Sequence, residues 1–94
     1  MELTTFRLRA GADEAAFLAA DAVAQAFHHR QPGVIRRTTM RDVASGEWAV
    51  AILWSSWEHA DAAAEAARND EAMQPYHELV DPSSVQVRRF ESLD

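Results

Sequence analysis

The stretch Glu47-Trp48-Ala49-Val50-Ala51-Ile52-Leu53-Trp54-Ser55-Ser56-Trp57-Glu58-His59-Ala60 decides the fold. Residues 48 to 54 are apolar without a break, the pattern of a strand buried on both faces. Trp48, Val50, Ile52 and Trp54 point one way, and Ala49, Ala51 and Leu53 the other. Ser55-Ser-Trp-Glu58 then reads as a capping box, with Ser55 as N-cap and Glu58 at N3, opening an alanine-rich helix to about Arg68. A central strand that needs cover on both sides, in a chain of 94 residues, constrains architecture and assembly together.

Upstream, Leu3 to Arg9 reads as a strand closed by Gly11. A helix follows from about Asp13 to His29, with Ala16, Ala20, Val23 and Phe27 at helical spacing and Phe17 and Ala24 widening the stripe. Gln31-Pro32-Gly33 stops it. Val34 to about Asp42 forms a second strand, which Ala44-Ser45-Gly46 turns back as a hairpin. Downstream, a short helical segment from Glu71 to Val80 kinks or restarts at Pro75. Asp81-Pro82 makes a turn, and Val85 to Phe90 is the last strand. The order is strand, helix, strand, strand, helix, strand. It predicts one α+β domain over residues 1–94, a ferredoxin-like βαββαβ fold with an antiparallel four-stranded sheet, the first and third strands central. Two helices cover one sheet face, so the other is expected to meet a second copy in a homodimer.

Composition excludes several classes. A formal net charge of −6 lacks the positive footprint of a nucleic-acid binder. No apolar run approaches the roughly 20 residues that span a bilayer, and Met1-Glu-Leu-Thr-Thr5 has no basic leader character. With no cysteine there are no disulfides or thiolates, and a cytoplasmic setting is expected. No glycine-rich phosphate loop or nucleophile elbow occurs. His28 and His29 diverge on a helix, and His59 and Asp61 lack i, i+4 spacing, so no metal site is expected. All nine cationic residues are arginines, and seven of them (7, 9, 36, 37, 41, 88 and 89) fall on or beside strands, as solvated pairs or as cavity-lining groups that favour an anion.

Pro32-Gly33-Val34 after the first helix, the hairpin, the strand ending Trp54-Ser55, and the closing Leu79-Val-Asp-Pro-Ser-Ser-Val-Gln-Val-Arg-Arg-Phe90 together resemble the antibiotic biosynthesis monooxygenase family. The resemblance implies a dimeric α/β barrel of two ferredoxin-like protomers, each with a ligand cleft between sheet and helices. It implies oxygenation of a phenolic or quinone-like aromatic with no cofactor. Haem-degrading members carry an asparagine near the position of Phe6, a helical tryptophan where this chain has Ala62-Ala63-Ala64, and a later histidine that only His77 could match. Haem degradation is therefore not expected. Ring-oxidising members resemble Asn-x-x-x-Trp at the end of the third strand, where this chain has Val50 and Trp54.

Candidate site residues follow. A strand-end tryptophan, Trp54, can wall a planar ligand. His77 beside Tyr76 offers a general base and a phenol together. Arg37 or Arg36, only one of which can face the cleft, would hold a phenolate, and Phe6 would contact the ring. The alternative expectation is a non-catalytic dimeric domain that binds a small hydrophobic molecule or serves as an interaction module.

Overall fold

In the computed structural model, which covers residues 1–94, the elements are β1 (Glu2–Phe6), α1 (Glu14–His29), β2 (Val34–Arg41), β3 (Trp48–Trp54), α2 (Trp57–Asn69), α3 (Gln74–Leu79) and β4 (Gln86–Arg89), with 3₁₀ turns at Glu71–Met73 and Pro82–Ser84. The sheet order is β2-β3-β1-β4 and every pairing is antiparallel. This is the ferredoxin-like arrangement, with β1 and β3 central. No helix is long and apolar enough to cross a membrane.

Strand alternation sets the core. Trp48, Val50, Ile52 and Trp54 are buried beneath the helices, whereas Ala49, Ala51 and Leu53 are only half-buried. Burial of β3 on both faces is thus incomplete within one chain, because no element lies over the outer face. Phe17 from α1 is fully buried and meets Trp48 (4.7 Å between centroids), Tyr76 (5.3 Å) and Phe6 (5.7 Å). Such tilted and edge-on pairs add roughly 0.5–1.5 kcal/mol each beyond their area burial. A second cluster, Ala24, Phe27, Ala67 and Met73, ties α1 to α2 and the turn after it.

Several boundaries depart from expectation for identifiable reasons. Helix α2 begins one residue later than the capping box implied. Ser55 N–H donates to the Gly33 carbonyl (2.8 Å), which holds Ser55 on the extended path of β3. Ser56 is therefore the N-cap, accepting the His59 N–H (3.2 Å), and Glu58 falls in the first turn without closing a box. The α1 stripe is Phe17, Ala20, Ala24 and Phe27, whereas Ala16 and Val23 are exposed. The β1 ladder ends at Phe6, because the chain then turns to the segment after α3, with Arg9 N–H on the Leu79 carbonyl and Asp81 N–H on the Arg7 carbonyl (both 2.9 Å). Pro75 sits in the first turn of α3, where its missing N–H costs nothing.

The two sheet edges differ. β2 carries a bulge between Val34 and Arg36 that sets Ile35 outside the ladder, and β4 is four residues long and exposed throughout.

Gly33 is demanded twice. Its φ of +85° is left-handed, and a Cβ there would overlap the His59 ring. Gly33→Ala should cost about 1–2 kcal/mol for backbone conformation alone, plus the displacement of His59. Denaturant unfolding of Gly33→Ala, His59→Ala and the double variant checks this. The pair should be strongly non-additive, with His59→Ala recovering the steric part and leaving the conformational part.

Candidate functional site

Between the inner sheet face and the helices lies a cavity of about 450 Å³. Its floor is the register row Arg37–Ile52–Glu2 and its neighbour Val50–Thr4–Val87, running from β2 across to β4. Three strand spacings make this span roughly 14 Å. Its roof includes Ala64 and Ala67 of α2, whose short side chains leave room, and Met73 and Tyr76 beyond. His77, Pro82, Val85 and Val87 line the cavity while themselves exposed, so the mouth is on the β4 side. The β2 side is closed by α1.

Polar groups gather at the closed end. Arg37 is buried, its side chain 1% exposed. One terminal nitrogen donates to Asp21 Oδ1 (2.9 Å), the other to Gln25 Oε1 (2.9 Å) and Thr39 Oγ1 (3.1 Å). Asp21 Oδ1 also accepts from Thr39 Oγ1 (3.0 Å), and Gln25 donates back to the Arg37 carbonyl (3.2 Å). Of its other donors, Arg37 Nε–H is buried with no protein partner. Leaving such a group unpaired costs about 1–3 kcal/mol, and the atom is closed off from the cavity space. The guanidinium carbon lies 6.0 Å from the Tyr76 ring centroid. Burial pushes the Tyr76 phenol up to about 12, despite the opposing pull of Arg37, so it remains a hydrogen-bond donor at neutral pH.

His28 joins this end and was missed by sequence reasoning, which weighed it only as a metal ligand. Its Nδ1 is 2.9 Å from the Ala24 carbonyl. A carbonyl can only accept, so Nδ1 carries the hydrogen and the neutral ring keeps a lone pair on Nε2. Burial, with a smaller contribution from Arg37, holds its pKa below the ordinary 6.5, against the opposing effects of the Ala24 bond and Asp21. The signal in sequence was position alone: His28 follows Ala24 by one helical turn, on the same face.

The cavity brings together Phe6, Arg37, Tyr76 and His77 of the residues singled out above. Arg36 lies on the opposite, exposed face. Trp54 is not on the cavity wall, which corrects its expected part in ligand contact. Inward alternation buries it behind His28, their rings 6.2 Å apart, with its indole N–H unpartnered. Val50, where the resemblance implied a polar side chain, contributes an apolar surface to the floor. No group of three or more histidine or acidic side chains is arranged to hold a metal ion.

The pH dependence of stability follows from His28. Its folded pKa is depressed, so below about pH 6.5 the unfolded chain takes up a proton that the folded chain resists. This component of stability is intact above the ordinary histidine pKa and is lost as pH falls through the depressed value. Chemical denaturation across this range should show an acid-side decline that is shallower in His28→Gln.

No protein-family model and no curated protein matches the chain. Solved structures do match its fold. SnoaB, a cofactor-independent oxygenase from Streptomyces nogalater, superposes with a TM-score of 0.81 at 18% identity, covering 99% of this chain and 91% of its own. Rv0793 from Mycobacterium tuberculosis gives 0.70 at 20% identity, over 99% and 93%. A Nitrosomonas europaea protein provisionally assigned as an antibiotic biosynthesis monooxygenase gives 0.58 at 13% identity, over 100% of both chains.

Proposed function

We propose that this protein is a small cofactor-independent monooxygenase of a phenolic or quinone-like aromatic compound, working as a homodimer. The observation that carries the reading is the cavity: apolar walls, flat aromatic and alanine surfaces, and a closed end with the Arg37 guanidinium and the Tyr76 phenol. A planar ring system fits the walls, and an oxygen substituent meets the Tyr76 phenol beside the Arg37 charge. The fold shared with SnoaB, a cofactor-independent oxygenase, supports it.

The chemistry balances without a resident redox group. A phenol that loses its O–H proton becomes an electron-rich anion able to reduce oxygen. Replacing one ring C–H by a carbonyl then consumes one O₂: one oxygen atom enters the quinone product, and the other leaves as water with the two hydrogens. The protein's part is to bind the ring, take the proton, and hold the anion away from water. Phe6 forms the floor beneath the ring, Tyr76 donates to the oxygen, the Arg37 charge stabilises the anion, and an imidazole on the cavity, His77 or His28, receives the proton.

Oxygen uptake with a panel of hydroxynaphthalenes and hydroxyanthracenes tests this. With the matching compound, ¹⁸O₂ should place one label in the product and one in water, with no added metal, flavin or haem. Arg37→Gln should depress turnover by about 10²-fold or more, as loss of an electrostatic stabiliser of the developing anion does. Saturable binding without uptake across the panel would favour the second reading, a non-catalytic domain for a hydrophobic ligand, for which the apolar Val50 on the floor speaks.

Dimerisation is supported by the uncovered outer sheet face. Leu3, Ala49, Ala51 and Leu53 lie half-exposed there with no element above them. A face-to-face pair should bury more than about 1,200 Å². Sedimentation should give a dimer at micromolar concentration and a folded monomer for Ala51→Glu. A stable wild-type monomer would overturn the assembly.

A further inference from the structure

We propose that His28, rather than His77, takes the substrate's proton, so that the cavity admits a neutral phenol and holds it as an imidazolium–phenolate pair beside Arg37. The inference rests on the reading of the cavity as a phenol site. In the step, the phenol O–H bond breaks, its proton goes to His28 Nε2, and the electron pair stays on the phenolate oxygen.

Three observations carry it. First, the His28 ring is set for the task. Nδ1–H is committed to the Ala24 carbonyl, one helical turn back, so the free lone pair is on Nε2 and the ring orientation is fixed. Trp54 packs edge-on against this ring at 6.2 Å and limits its motion. His77 has no such anchor: it stands exposed at the mouth, where a proton would exchange with bulk water and an anion would stay solvated.

Second, the charge balance selects a neutral ligand. The charged and titratable groups around His28 are Asp21 and His29 on its own helix and Arg37 on β2, with Tyr76 and His77 of α3 and Glu2 of β1, whose carboxylate pairs with Arg89, on the same cavity. Arg37 and Asp21 are paired at 2.9 Å and cancel. A phenolate entering from water would bring an uncompensated charge into a poorly solvated end, which is costly. A neutral phenol that transfers its proton inside adds no net charge.

Third, the anion has a waiting partner. Arg37 lines the same cavity, and its guanidinium charge, which acts on His28, would stabilise a phenolate beside it. The preference of His28 for its neutral form keeps it proton-free at neutral pH. Pairing with phenolate would then raise its pKa on binding.

The test uses 4-nitrophenol, whose phenolate absorbs visible light and whose phenol form does not, under anaerobic conditions at about pH 6, where neutral phenol and neutral imidazole coexist. The wild type should bind it and develop the phenolate band, and the His28 imidazole resonances should move to those of imidazolium. His28→Gln should abolish the band. His77→Gln alters the mouth and shifts the affinity, yet the bound probe should still ionise. Should His28→Gln fail to fold, the wild-type resonance assignment decides the matter. An unmoved His28 signal, or a band lost in His77→Gln and kept in His28→Gln, would overturn the assignment. Failure of both 4-nitrophenol and 1-naphthol to bind would overturn it together with the phenol-site reading. Ionisation through His28 without oxygen uptake leaves the proton transfer standing and removes the oxygenase reading, whereas wild-type oxygen uptake by His28→Gln does the reverse.

Discussion

The buried guanidinium of Arg37 is the constraint around which the site is organised. A cation beneath a helix is tolerable only if every charge and nearly every donor is answered, because an unanswered one costs several kcal/mol. Asp21, Gln25 and Thr39 supply those answers, and two of them come from α1. The network therefore fixes where α1 lies on β2 and turns its Phe17 and His28 toward the interior. Phe17 then joins β1, β3 and α3 through Phe6, Trp48 and Tyr76. Packing and polar pairing thus place the same helix. The cavity is the space left where neither reaches β4.

Much of this architecture was legible in the sequence because its signals were local. The unbroken apolar run from Trp48 to Trp54 identified β3, and element order then implied a sheet with β1 and β3 central, as in β2-β3-β1-β4. Pro75 marked a kink or a helix restart, and the structure has the restart. Errors arose where a tertiary bond outweighed a local one. Ser55 has the residue type of a cap, but its N–H is taken by Gly33 across the sheet, and the cap passes to Ser56. Val23 belongs by spacing to the α1 stripe, yet the helix is rotated toward Phe17 by its contacts with the sheet and α3.

The site was less legible than the fold, for the same reason. That Arg37 and not Arg36 faces inward depends on strand register, and its pairing with Asp21 spans 16 residues. His28 looked like half of an adjacent histidine pair. Its significance lies in a backbone bond to Ala24 and a cavity formed by segments up to 59 residues further along the chain, from Arg37 to Val87. Trp54 drew attention by size, but size at an inward strand position makes a residue part of the core before it makes it a ligand contact.

The two unlike edges of the sheet bear on how copies of this chain can meet. Sheet edges offer free backbone donors and acceptors and invite open-ended addition of strands. Here the bulge at Ile35 breaks the regular ladder of β2, and β4 is short and carries adjacent Arg88 and Arg89, the latter tied to Glu2 and Asp61. Neither edge presents a long, flat, uncharged ladder. The two edges thereby disfavour linear polymerisation by strand addition, an assembly that has no natural end.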